Sequence, residues 1–167
     1  GLDKEEKASL SATMDVIYNG VALRNYSSGD LLPEEGSVRL IDNNGDSVYD
    51  VFVVSNVVNY VVNWVNAEKE LVYAKNFPGA LDLSTRDNLV TIQRKAGGSA
   101  AALSDIEEWN VLSVMESRNE NGKKSYTVIL CDDFAEGTIE EMEEEAVVID
   151  GNRYKISGGF DLSEVEV

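Results

Sequence analysis

The feature that most constrains the fold of this chain is an internal repeat with a spacing of 77 residues. The segment Tyr49–Val54 (YDVFVV) returns as Tyr126–Cys131 (YTVILC), and the dipeptide Asn44-Gly45 returns as Asn121-Gly122. The apolar positions are kept while the identity is low. A repeat of this kind predicts that one small supersecondary unit occurs twice, and it argues against a chain built around a single active site.

The local signals within each repeat are those of short β-strands. Four Asx-Gly dipeptides have β-branched or aromatic residues on both sides, which favours hairpins; they are Asn19-Gly20, Asn44-Gly45, Asn121-Gly122 and Asp150-Gly151. No segment keeps a helical period over a long window, although Leu32–Glu35 and Ser104–Trp109 each resemble one helical turn.

The predicted fold is therefore all-β, with two related small β units that are barrel-like or rolled meanders, each carrying a short helical turn. We expect a linker at residues 1–11, a first unit at 12–84 and a second at 85–167. The alternating piece Glu164–Val167 resembles a strand that would follow, so we expect the sequence to belong to a longer protein.

Composition narrows the classes of function. The net charge is −17, from 31 acidic and 14 basic residues, and such a surface repels nucleic acid and anionic lipid. The longest apolar stretch, Val51–Val65, is broken by polar residues and is too short to insert into a membrane. The chain has no histidine, which removes Ser-His-Asp and Cys-His catalysis. The single cysteine, Cys131, lies in an apolar run and is interpreted as a packing residue.

The best candidate for a metal site is the acidic turn Asp42–Asp50. Its alternating oxygen donors match positions 1, 3, 5, 7 and 9 of a calcium loop; they are Asp42, Asn44, Asp46, the carbonyl of Val48 and Asp50. Ser47 and Val53 depart from the pattern, because they stand where glycine and a bidentate carboxylate are usual. The equivalent turn of the second repeat lacks the aspartates, so the turn does not need metal in order to form. Two interpretations stay open, a solvated hairpin tip and a calcium site, and no other cofactor is predicted.

Two further features have both a packing and a binding interpretation. Trp64 is a core or rim residue, or else a platform on which a sugar ring stacks, whereas Trp109 is predicted to lie in the core. The acidic run Glu140–Glu145 is predicted to be a solvated turn, with Met142 directed inward.

Three stretches carry a resemblance to a known group of proteins. They are DVIYNG, GSVRLIDNNGDSVYDVFVV and GTIEEMEEEAVVIDGNRYKIS. They resemble the β-rich regions of Firmicute cell-surface proteins that also contain S-layer homology domains. The resemblance implies an extracellular, wall-associated location and a stalk, spacer or adhesive role, and it supplies no catalytic residues.

These observations predict a non-catalytic structural or interaction module of a bacterial cell-surface protein. Its partners would be other domains of the same protein, or cell-wall and protein partners, and neither nucleic acid nor a membrane interior. A carbohydrate-binding module is the first alternative. The second alternative is a fragment of a carboxylate-dependent, glycan-active enzyme.

Overall fold

The computed structural model describes residues 7–118, 122–143 and 145–156, and their secondary structure is almost entirely β. Within these ranges there are thirteen strands and two 3-10 helices, Gly29–Leu31 and Leu103–Asp105, but no α-helix. The all-β prediction is confirmed. The 3-10 segments do not coincide with the predicted helical turns, because Leu32–Glu35 is not helical and the second segment ends at Asp105, well before Trp109. None of these helical segments has the length or apolar character needed to cross a bilayer.

The first sheet has four strands in the order β2-β1-β4-β3. The strands are β1 (Leu10–Tyr18), β2 (Val21–Ala22), β3 (Gly36–Ile41) and β4 (Tyr49–Asn56). The parallel pairing of β1 with β4 places Val16 beside Phe52. These two residues and Val54 form a small buried cluster.

The second sheet has six strands in the order β7-β6-β5-β9-β10-β8. The strands are β5 (Val58–Asn66), β6 (Leu71–Ala74), β7 (Ala80–Asp82), β8 (Leu89–Arg94), β9 (Val111–Arg118) and β10 (Lys124–Cys131). One face of this sheet carries the larger core, which includes Val62, Leu112, Val128 and Leu130.

A third sheet belongs to the C-terminal part of the chain. Strands β11 (Ile139–Glu143), β12 (Ala146–Ile149) and β13 (Asn152–Lys155) form an antiparallel meander. β5, β6 and β7 form another such meander within the six-stranded sheet. The described sheets are open, so the barrel-like form of the prediction is wrong for them, while the meander form is found. A barrel needs its edge strands to pair, and β2, β3, β7 and β8 end their sheets instead.

The chain divides into two compact units, Gly1–Cys131 and Asp132–Val167. The boundary predicted between residues 84 and 85 falls inside the six-stranded sheet, because β5 lies before it and pairs with β9 after it. The predicted linker at 1–11 is only partly described, and β1 begins within it at Leu10. Glu164–Val167 lies outside the described residues.

Two Asx-Gly predictions are confirmed in detail. Asn19-Gly20 joins β1 to β2, and Asp150-Gly151 joins β12 to β13, each as a two-residue hairpin. All four residues have positive φ, between 46° and 82°, as this type of tight turn requires. Asn44-Gly45 instead lies within the longer connection between β3 and β4. Asn121 lies outside the described residues.

The strand pairing shows that the repeat has a different register from the one in the sequence alignment. β8 pairs in parallel with β10 as β1 does with β4, and Ile92 lies beside Val128 where Val16 lies beside Phe52. Both correspondences have a spacing of 76. The 77-residue spacing would match buried Phe52 with half-buried Ile129. A slip of one residue turns every side chain of a strand to the other face, so the 77-residue alignment is one position out in β4 and β10.

The two 3-10 helices also correspond. In the first, the Asp30 carboxylate (Oδ2) accepts a hydrogen bond of 2.7 Å from the Ser27 amide. In the second, Asp105 Oδ2 accepts one of 2.9 Å from the Ala102 amide. Each half of the Gly1–Cys131 unit therefore contains the same local device between two corresponding strands.

Candidate functional site

The acidic turn between β3 and β4 is held by hydrogen bonds within the loop. Asp42 Oδ1 accepts from the Gly45 amide at 2.6 Å, and its Oδ2 accepts from the Ser47 amide at 2.9 Å. The bond from Gly45, followed by the one from Ser47, lowers the pKa of Asp42. Asn44 and Asp46 cap further amides in the same way. The side chains predicted as metal ligands therefore serve first as supports of the turn.

The calcium hypothesis gains no geometric support from this arrangement. Within the described ranges, no group of three or more Asp, Glu or Cys side chains is placed so that it could hold a metal ion. Asp50 Oδ2 accepts a hydrogen bond of 3.2 Å from the Asn43 amide. Calcium binding at Asp42, Asn44, Asp46, Val48 and Asp50 stays a prediction for titration to decide.

The outer face of β5 and β6 carries an aromatic pair. Trp64 is 47% exposed and stacks on Tyr73 of the neighbouring strand, with ring centroids 4.1 Å apart and planes inclined by 4°. A bulge between Val62 and Trp64 shifts the register at this point. Because a bulge re-aims the side chains beside it, we assign to it the outward position of Trp64 next to the inward Val62.

Trp109 also lies at the surface of the protein, and its prediction as a core residue is wrong. Its side chain is 69% exposed, and the Lys75 ammonium lies 3.8 Å from the centre of its ring. Lys75 also donates to Glu108 at 2.7 Å and to Asn63 at 3.2 Å. Trp109 has a left-handed backbone with φ of 70°, just after the second 3-10 helix. This backbone turn leaves the indole outside the core. The turn is not evident from the sequence, where Trp109 has an apolar neighbour in Val111.

These residues form two pairs, the ring of Trp64 on that of Tyr73 and the ammonium of Lys75 over the ring of Trp109; we refer to the four residues as the aromatic surface. Lys75 follows the end of β6 at Ala74, and its ammonium donates to Asn63, the residue before Trp64. Sequence reasoning identified Trp64 but missed Tyr73 and Lys75. The alternation of Tyr73 and Lys75 with buried Val72 was the available signal.

A cavity of about 370 Å³ lies between the first and second sheets. Its lining includes Tyr18, Tyr60, Asn56, Asp30 and Glu116. Burial raises the pKa of both tyrosines, whereas the Ser27 amide lowers the pKa of Asp30. Glu116 is paired with Lys124 at 3.0 Å. Both acids of the cavity are thus engaged with neighbouring groups.

Asn19 ties the two sheets together beside this cavity. Its side-chain amide donates to the Glu116 carbonyl at 2.7 Å, and its side-chain oxygen accepts from the Asn56 amide at 2.8 Å. Asn19 is also the first residue of the tight turn after β1. One residue therefore sets a hairpin and a contact between the sheets.

Two smaller expectations need correction. Met142 is 39% exposed and does not point inward, and neighbouring Glu143 pairs with Arg153 at 2.5 Å. Glu144, within the same acidic run, lies outside the described residues. Cys131, predicted to be a packing residue, is only half-buried, and the Lys95 ammonium lies 3.8 Å from its sulfur.

No protein-family model, curated protein or solved structure matches this chain. The resemblance to wall-associated surface proteins therefore stays an expectation drawn from its motifs.

Proposed function

We propose that this chain is a non-catalytic structural and interaction module of a bacterial cell-surface protein, built from two related β units and located outside the cell. The observation that carries the proposal is the pairing of β5 with β9. The meander that follows β4 is thereby built into the sheet of the next repeat. Neighbouring repeats are joined by backbone hydrogen bonds, which a spacer or stalk needs more than it needs a precise cavity.

The connection between the repeats has two parts. Val58, Asn59, Tyr60 and Val61 pair with Val114, Ser113, Leu112 and Val111. At the same junction, Asn19 joins the first sheet to β9 through the Glu116 carbonyl. Such a junction resists separation because a strand and a side-chain bridge must be released together.

Single-molecule pulling on the whole chain tests this role. We expect the Gly1–Cys131 unit to extend in one cooperative event, because β5 couples the two sheets. Tyr60→Pro removes a backbone N–H on the β9 side of β5, so it should split that event into two weaker ones. Separate low-force unfolding of the two sheets in the unaltered protein would contradict the proposal. Antibody labelling of intact cells that produce the full-length protein tests the location.

Carbohydrate binding is a second candidate, favoured by the aromatic surface. Aromatic faces beside Asn63, Lys75 and Glu108 offer both stacking and hydrogen bonding to a sugar ring. A glycan array probes this function directly, and Trp64→Ala should abolish any signal. Leu89→Ala, which alters an exposed apolar residue on another strand, is the matched control. Equal signals from the two variants would exclude the aromatic surface.

The carboxylate-enzyme alternative has Asp30 and Glu116 as its only pair in the described cavity. A general acid needs a raised pKa, and that of Asp30 is lowered. Glycosidase assays with Asp30→Asn beside the unaltered protein test this alternative. We expect no activity in either sample.

A further inference from the structure

We propose that the open edge of β3 binds the segment 134–137 of a second copy of this chain by strand addition, so that copies associate head to tail. The inference rests on the proposed role as an interaction module and names a partner for it. Its starting point is the correspondence between β9 and β3. Both are antiparallel neighbours of the central strand, β10 in one sheet and β4 in the other.

The outer edge of β9 is occupied, whereas that of β3 is open. β5 covers β9 through the four pairs from Val58 with Val114 to Val61 with Val111. β3 ends its sheet, and no other strand in the described part of the chain pairs with it. Its first four residues, Gly36–Arg39, are exposed. A six-residue edge of this kind, without proline, is a template for another strand.

The backbone of β3 presents the same hydrogen-bonding groups as that of β9. The Val57 amide donates to the Glu35 carbonyl, so in the regular ladder Ser37 and Arg39 face β4 while Val38 and Leu40 face the open edge. In the other sheet the Val62 amide donates to the Asn110 carbonyl. By the same alternation, Leu112 and Val114 face β5. When the two ladders are superposed, Val38 corresponds to Leu112 and Leu40 corresponds to Val114. The backbone groups on the open edge of β3 therefore occupy the positions at which β9 binds β5.

The second half of the chain supplies a segment of the right kind. With the 76-residue spacing between β4 and β10, the segment that corresponds to Val58–Val61 is residues 134–137. This segment precedes the β11–β13 meander as the β9-binding part of β5 precedes β6 and β7. Residues 133–138 belong to no strand, and they are exposed; the Phe134 side chain is 84% exposed. The segment thus lacks the sheet that its counterpart in β5 possesses.

The register that follows gives compatible side chains. Asn59 lies opposite Ser113 in the β5–β9 pairing, so its counterpart Ala135 would lie opposite Arg39. In the same way Val58 lies opposite Val114, so Phe134 would lie opposite Leu40. Asp133 would lie diagonal to Arg39, within reach of a long side chain. The net charge of −17 makes two copies repel each other. Association should therefore strengthen as salt screens the surface charge.

Disulfide trapping between two single-cysteine proteins tests both the partner and the register. In a Cys131→Ser background, Arg39→Cys is mixed with Ala135→Cys and oxidised, and the heterodimer is measured on a non-reducing gel and by mass spectrometry. The control replaces Arg39→Cys by Ser37→Cys, which lies on the same face two positions out of register. We expect several-fold more heterodimer with the cysteine at position 39, and more at higher salt.

Val38→Pro, added to the Arg39→Cys protein, removes a backbone donor at the open edge while the ladder with β4 keeps its bonds. It should abolish the trapped heterodimer and leave the circular dichroism spectrum unchanged. In the otherwise unaltered chain it should also lower the weight-average mass in sedimentation at high protein concentration. Equal trapping at positions 37 and 39, no heterodimer, or trapping that survives Val38→Pro would overturn the proposal. Each of these results leaves the pulling experiment on the β5–β9 junction unaffected, so the two proposals can fail separately.

Discussion

The first and second sheets share a three-stranded centre but differ at one edge. β1, β4 and β3 correspond in order and direction to β8, β10 and β9. The β9 edge is covered by β5, and the β3 edge is open. Leu112 of β9 is fully buried, whereas Val38, at the matching place in β3, is 42% exposed. The same position is thus a core residue in the sheet whose edge is covered and a surface residue in the sheet whose edge is open.

The segments that lead into the central strands β4 and β10 differ in a second way. The loop after β3 is acidic and stabilises itself through Asp42, Asn44 and Asp46. The corresponding central strand β10 begins instead with Lys124, which pairs with Glu116 and lies near the ring of Tyr126. The common framework therefore tolerates a basic residue at the start of β10, whereas the segment before β4 is acidic. Packing and pairing define the repeat, while the turn chemistry is free to vary.

The largest effect should come from shortening the buried member of the matched pair. Leu112→Ala should lower the free energy of unfolding by about 3 kcal/mol, because it leaves a cavity in the larger core. Val38→Ala should change it by less than about 0.5 kcal/mol, because that side chain is already exposed. Urea titrations followed by circular dichroism measure both. Equal losses would break the comparison between the two edges.

The next largest effect should come from the residue that joins the two sheets. Asn19→Gly keeps a residue that tolerates the positive φ but removes both side-chain hydrogen bonds, which should cost about 1–2 kcal/mol. The comparison is Asp150→Gly, which alters the same position of the β12–β13 turn and removes one side-chain hydrogen bond, that from the Thr138 amide, where Asn19→Gly removes two. Thermal unfolding of the two variants compares them. A loss for Asn19→Gly no greater than that for Asp150→Gly would show that the bridge adds nothing to the turn.

The sequence predicted those parts of the fold that depend on neighbouring residues. Asn19-Gly20 and Asp150-Gly151 form their hairpins because the turn is determined by two residues and their φ angles. The all-β class follows from short strands with frequent turns. These features depend on local chemistry, so they can be predicted without knowing which strands pair.

The features that the sequence did not predict depend on long-range pairing. Nothing local indicates that β1 lies parallel to β4, or that β5 crosses a repeat boundary to reach β9. The 77-residue alignment matched apolar letters in strands where both faces carry apolar residues, so a slip of one position was invisible. At the candidate site, Trp109 was misplaced because its exposure depends on a backbone turn and on Lys75 from another strand.

Alkaline pH should destabilise both sheets, because burial raises the pKa of a tyrosine in each, and only in the second sheet does that tyrosine hydrogen-bond to a lysine. Burial raises the pKa of Tyr126, and hydrogen bonds to Tyr126 and Glu116 raise that of Lys124. A raised pKa in the folded state means that folding favours the protonated form. The stabilisation is therefore complete below the unfolded-state pKa and is lost as pH rises through the folded-state value.

We expect the urea midpoint to fall between about pH 9 and about pH 11, where Tyr and Lys ordinarily titrate. Tyr126→Phe should make that fall smaller, because it removes one of the two coupled groups. Tyr18→Phe makes the same comparison in the first sheet, where burial also raises the pKa of the tyrosine, and it should likewise make the fall smaller. An unchanged pH profile for Tyr126→Phe would place the alkaline sensitivity elsewhere.

The smallest effect should be that of calcium on the acidic turn of the first repeat. Asp42, Asn44 and Asp46 already accept hydrogen bonds from amides of the loop, so a cation would have to compete with bonds that hold the turn. We expect millimolar calcium to raise the free energy of unfolding by well under 1 kcal/mol, as when a ligand stays below its dissociation constant. Calorimetric titration and thermal melts, with Asp46→Ala as the control, measure this. Heat of binding that disappears in Asp46→Ala would establish a calcium site, and the two repeats would then differ in chemistry as well as in the covering of one edge.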